Sequence, residues 1–126
     1  MLVTNSISDY DARRIEELQP RCIACGSTYG LQRHHRIFRS EGEQVLNKFL
    51  LGVAFPLYEQ CYNAKLEIWH LHSIQNLCTL CLECHEGTQG RGVHGGNEKL
   101  RQQLRNSFTC PVTGFCVPFV KNFKYA

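Results

Sequence analysis

The apolar positions of this chain fall into short periodic stretches separated by turn residues, with no repeat, low-complexity tract or clear linker between them. Before Pro20, Ile15 and Leu18 share one helical face. Ser8 or Asp9 can accept from the free N–H groups of that first turn, and Pro20, with no N–H to donate, ends the element. Leu31 to Ile37 reads as a short strand. The segment opening at Ser40 to Gly42 spaces Val45, Phe49 and Leu50, then Tyr58, Cys61, Tyr62 and Lys65, as one or two helices broken near Gly52 to Pro56. In "QNLCTLCLECHEG", Leu77, Leu80, Cys81, Cys84 and His85 keep the spacing of one helical face, Asn76 can cap it and Gly87 can stop it. That predicts a short helix lined with metal-binding side chains.

At 126 residues the chain has room for one modest core, so a single domain, 1–126, is expected to carry the whole function. Net charge is only +3, but Arg21, Arg33, Arg36 and Arg39 share a window without acids, and Arg91, Lys99, Arg101, Arg105, Lys121 and Lys124 form a second basic run. Such clustering suits a polyanion and suits an ordinary solvated surface equally. No apolar run approaches the roughly 20 residues of a membrane span, and no secretory pattern opens the chain. A soluble protein without a membrane partner is expected, in the cytoplasm of a bacterial cell, with a size and composition that fit a phage or mobile element. Eight cysteines in a reducing compartment point to metal rather than disulfides.

The cysteine spacing selects the ligands. Cys22 and Cys25 in "CIACG" flank a tight turn whose amides can face both sulfurs, and Cys81 and Cys84 lie about one helical turn apart. Four thiolates in two such pairs make a closed, structural Zn²⁺ site. Cys61 and Cys78 read as core. Cys110 and Cys116 in "CPVTGFC" read as a turn pair, a metal half-site needing a partner chain, or packing, the last being the simplest. Closing the zinc would bring His34 and His35 near His85, whereas His70 and His72, beside Trp69, read as packing or surface side chains.

"CIACG", "HHRI" and "NLCTLCLECH", in that order, resemble the HNH endonuclease family over roughly Arg21 to His94. The resemblance implies an α+β fold: a small zinc-stapled ββα-metal core at about 21–94, with residues 41–72 as a helical insertion and 97–126 as a C-terminal extension. It implies that His34 and His85 ligate a catalytic divalent cation, Mg²⁺ or Mn²⁺ with Zn²⁺ or Ni²⁺ as alternatives, that His35 is the general base, and that Asn76 holds the loop carrying the base. The activity implied is hydrolysis of double-stranded DNA to a 5′-phosphate and a 3′-hydroxyl. The roles are chemically reasonable, since a neutral imidazole can take a proton from water and a sparsely ligated cation keeps positions open for phosphate. Arg33, Arg36, Arg39 and Arg91 become candidate phosphate contacts, and the tail "VPFVKNFKYA" either adds phosphate grip and stacking or packs as a terminal strand.

This sequence departs from the family pattern in two places. Forty residues, 36–75, separate His35 from Asn76, and "EGTQGRGVHGG" delays His94, which is then a third metal ligand, a phosphate contact or a surface histidine. Strict strand alternation also sends His34 and His35 to opposite faces, so a bulge or a strand end is expected there. Two other functions fit the same residues: a nucleic-acid-binding zinc module that does not cut, and a zinc-stapled structural or assembly protein. A homodimer and a phage or host protein partner both stay open.

Overall fold

The computed structural model describes residues 2–3, 7–53 and 58–118; the expected helix break at Gly52 to Pro56 lies mostly outside them, and the tail from residue 119, with Lys121 and Lys124, wholly so. The architecture is mixed α+β. Helix α1 (Asp9–Leu18) starts where Ser8 Oγ accepts from the Asp11 N–H at 3.1 Å, and it buries Ile15 against Ile74 and Leu77. Gln19 closes the helix and turns inward. Its Nε2 donates to the Gly114 carbonyl at 2.9 Å and its Oε1 accepts from the Thr79 N–H at 2.9 Å, tying α1 to two later elements.

Strand β2 (Leu31–His35) pairs antiparallel with a strand further along the chain, in a register running from Leu31 opposite Cys81 to His35 opposite Leu77. That partner, β5 (Leu77–Cys81), corrects the expected helix over "NLCTLC", because it is extended and only Leu82–Glu86, α4, is helical. The reason is burial: all of Leu77–Cys81 is enclosed. A short apolar run covered on both faces matches a buried strand as well as a helix, and here an open partner strand decides. Asn76 is therefore no N-cap. It ends a 3₁₀ turn (Ile74–Asn76), and Cys81 caps α4 by accepting from the Cys84 N–H at 3.4 Å.

The segment between the two strands is only partly helical. After α2 (Gly42–Leu50) and α3 (Tyr58–Cys61) the chain forms a hairpin, β3 (Tyr62–Asn63) against β4 (Ile68–Trp69), and β4 also pairs in parallel with β1 (Leu2–Val3). The helical spacing of Tyr62 and Lys65 is overruled by Asn63, whose Oδ1 accepts from the Lys65 and Leu66 N–H groups and turns the chain. Val45, Leu46, Tyr58, Cys61, Trp69 and Leu71 bury a small core with Ile37.

Helix α5 (Glu98–Arg105) and the hairpin β6 (Ser107–Thr109) with β7 (Cys116–Pro118) complete the described chain. A second core joins Cys22, Cys78, Leu80, Cys81, Val93 and Leu104, with Cys116 packed against it, in line with the packing reading of Cys116. No helix among the described residues is long and apolar enough to cross a membrane.

Burial pushes the thiols of Cys61 and Cys78 up to about 12, from an ordinary value of 9.0. The unfolded chain ionises both from about pH 9, while the folded chain keeps them protonated. Their contribution to stability is therefore whole below pH 9 and lost as pH rises toward 12. Urea midpoints should fall through this window, and the slope should flatten in Cys61→Ala.

Candidate metal centres

Two clusters of metal-binding side chains flank the β2–β5 pair. The first is the cysteine clasp. Cys22 and Cys25 sit on the turn before β2, where the Cys22 N–H donates to the Ser27 carbonyl and the Gly26 N–H to the Cys22 carbonyl, both at 2.8 Å. Gly26 takes φ 80°, a left-handed conformation that side chains resist. The Ile23 N–H donates to the Thr79 carbonyl at 3.1 Å and holds this turn against β5. Cys81 ends β5 and Cys84 lies in α4, and the four sulfurs fall within 4.8 Å of one another. The Cys25 and Cys81 sulfurs are 3.5 Å apart. A tetrahedron with Zn–S bonds of ~2.3 Å has edges of ~3.8 Å, so the tetrad fits zinc.

The electrostatics agree with that donor set. Burial raises the Cys22 thiol, but N–H groups of Cys81, Cys25 and Ala24 face its sulfur and bring it down to about 7. Cys84 is driven up, first by burial and then by the sulfurs of Cys81, Cys25 and Cys22. Four thiolates this close repel one another, and a central dication is what would stabilise them together. Purified protein should retain about one tightly held zinc per chain after dialysis. Stripping it should unfold the domain, read by circular dichroism, and Cys25→Ser should weaken retention.

The second cluster is histidine. Because β2 alternates without a bulge, His34 and His35 leave on opposite faces. His34 is almost fully buried and packs against His85 and His94, with ring centroids at 5.1 and 5.5 Å, and His85 and His94 are 4.8 Å apart. One nitrogen from each ring lies within 4.8 Å of the others. His34 Nε2 is buried without a hydrogen-bond partner among the described residues. His85 Nδ1 meets Gln32 Oε1 at 2.7 Å, so Nδ1 donates and Nε2 keeps its lone pair for a ligand. Gln32 stands two residues before His34 and shares its face.

His85 follows Cys84 directly, so the clasp that fixes α4 also fixes this ring. His94 arrives on a glycine loop whose strands of backbone touch. The Gly92 N–H donates to the Gly87 carbonyl at 2.9 Å, and a Cβ on Gly95 would overlap that same carbonyl oxygen. Of the three readings of His94, the structure brings it into the cluster while leaving it exposed. Burial, then His85, His94, Arg36 and His35, hold His34 down to about 3. His85 is lowered by burial and by His94. Three imidazoles with a nitrogen each this close together are a fit donor set for a divalent cation, with room for further ligands.

His35 is the last residue of β2, and this strand end lets it open on the same cavity as the cluster. That cavity has a volume of about 880 Å³ and is lined by His34, His35, His72, His85 and His94, with Arg39 beside them. Burial, followed by His72, Arg39 and His85, lowers His35 to about 4. Its Nε2 lies 2.8 Å from His72 Nδ1. His72 was expected to pack or to face solvent. No local spacing links it to the site, because it lies 37 residues from His35 and reaches it only through the fold.

Asn76 is fully buried and ties two loops together. Its Oδ1 accepts from the Ile37 N–H at 2.9 Å, and its Nδ2 donates to the carbonyls of Ile37 at 3.1 Å and Leu71 at 2.8 Å. The first loop leaves β2 just after His35, and the second carries His72. Asn76→Ala would orphan three buried backbone groups, so it should cost ~3 kcal/mol or more in urea unfolding, and Asn76→Asp should not rescue it, lacking the N–H donors.

The arginines divide. Arg36 corrects the expectation of a phosphate contact: it is completely enclosed, donating to Ser107 Oγ at 2.6 Å, Thr109 Oγ1 at 3.0 Å and Cys116 Sγ at 2.7 Å. It braces β2 against the C-terminal hairpin. Arg33 is paired with Glu16 and also lines the cavity, Arg39 is exposed there, and Arg91 pairs with Glu83 at 2.7 Å on the surface. Comparisons with protein-family models, with curated proteins and with solved structures found no match.

Proposed function

We propose that this chain is a metal-dependent endonuclease of the HNH kind, hydrolysing phosphodiester bonds in duplex DNA. One observation carries the reading: three imidazoles each bring a nitrogen to one cluster, and a fourth, His35, opens on the same cavity. A divalent cation held by His34, His85 and His94 would supply positive charge to a phosphate oxygen and to the departing 3′ oxygen. Every other role falls to the chain. His35 Nε2 is engaged by His72, so Nδ1 is the nitrogen that would meet a water molecule. Its low proton affinity comes first from burial and then from the neighbouring His72, Arg39 and His85. A phosphodiester beside it adds negative charge and raises that affinity toward the range useful at neutral pH. Arg39 and Arg33 face the cavity where phosphate charge would sit. Asn76 keeps the exit of β2 from drifting.

A zinc module that only binds nucleic acid needs none of this convergence. Supercoiled plasmid incubated with the protein and Mg²⁺, Mn²⁺, Ni²⁺ or Zn²⁺ tests the reading. Cleavage to nicked or linear DNA is expected with at least one ion. His35→Ala should lower the rate by about 10²-fold or more, the usual share of a general base. Plasmid left intact with every ion and at low salt would remove the nuclease reading.

A further inference from the structure

The segment between β2 and β5 packs mostly on its own core, yet it delivers one side chain to the candidate site. We propose that His72 is a positioning residue, holding His35 by a hydrogen bond in the tautomer that leaves Nδ1 free to take a proton from water; this rests on the nuclease reading above.

The geometry is specific. His35 Nε2 and His72 Nδ1 are 2.8 Å apart, a distance at which one nitrogen must carry the shared proton. The two rings meet edge to face, with centroids 4.9 Å apart and planes at 86°, so the contact is a directed hydrogen bond and not a stack. Two arrangements are possible. If His72 Nδ1 donates, His35 carries its own proton on Nδ1 and cannot accept one from water there. If His35 Nε2 donates, His72 accepts, its own proton sits on Nε2, and His35 Nδ1 presents a lone pair. Only the second is compatible with a base at His35.

His72 is well placed to impose that choice. It is nearly buried, and its backbone is held from both sides. The neighbouring Leu71 carbonyl accepts from Asn76 Nδ2, the Ser73 N–H donates to the His70 carbonyl at 3.0 Å, and the Leu71 side chain packs on the backbone of Gly42. The same Asn76 amide that fixes the exit of β2 thus fixes the turn bearing His72. A histidine oriented by a partner at its second nitrogen gains the correct tautomer and a fixed ring plane, and loss of such a partner is costly even when the base itself remains.

Two readouts test this, one of them independent of cleavage. In ¹⁵N-labelled wild-type protein, a slowly exchanging imidazole proton bonded to His35 Nε2 is expected, with a scalar coupling across the hydrogen bond to His72 Nδ1. That proton found on His72 Nδ1, or no such proton, overturns the proposal. In plasmid cleavage, His72→Phe should lower kcat about ten- to a hundredfold with KM nearly unchanged, the scale typical of residues that orient an active ring. His72→Asn, whose Oδ1 can accept in place of Nδ1, should recover most of the loss; if Phe fails to fold, His72→Leu against His72→Asn makes the same comparison. Equal kcat in the wild type and in every His72 variant overturns the proposal. A wild type that cuts nothing overturns the nuclease reading and the catalytic half of this one, and the proton measurement still decides the pairing by itself.

Discussion

The register between Leu31–His35 and Leu77–Cys81 sets the position of nearly everything else. At one end, Leu31 opposite Cys81 brings the first cysteine turn beside the last cysteines, so four sulfurs close on one another. At the other end, His35 opposite Leu77 leaves Asn76 directly across from the chain that exits β2. A slip of one residue would carry His34 to the opposite face, away from His85 and His94, and would misalign the cysteines in the same move. The clasp and the histidine cluster are thus two products of one pairing, and zinc binding at the first would fix the geometry of the second.

Polar side chains do the joining where apolar area is scarce. Gln19, Arg36 and Asn76 are all buried, and each reaches elements distant in sequence: Gln19 to β5 and the Gly114 turn, Arg36 to β6 and β7, Asn76 to the two loops around the cavity. A chain whose buried apolar side chains, among the described residues, divide among three small clusters gains specificity from such directed bonds, since each is costly to leave unmade. Arg36 lies nearest the limit: its charge has no carboxylate partner among the described residues and rests on hydroxyls, a carbonyl and a thiol.

The residues that could be read from the sequence were those whose chemistry depends on local spacing. Cys22 with Cys25, Cys81 with Cys84, the cap at Ser8 and the separation of His34 from His35 by alternation all follow from neighbours within a few positions. The convergence of His34 with His85 followed from the clasp. Residues 77–81 misled because a doubly covered strand loses the two-residue alternation that marks a half-exposed one. Arg36 misled because a basic residue beside basic neighbours looks like surface, and its partners lie some 70 residues away in the chain. His72 was invisible for the same reason.

The glycine loop that carries His94 has a consequence for how this protein can change over generations. Where backbone rests on backbone, as at Gly87 and Gly95, there is no intermediate substitution: even alanine demands that the whole loop move. Neutral drift is therefore closed at these positions and at Gly92 between them, where a Cβ would overlap the Gly87 backbone nitrogen. Descendants of this chain are expected to keep the loop glycine for glycine or to abandon it together with its histidine, so that His94 persists or vanishes as a unit with the turn that presents it.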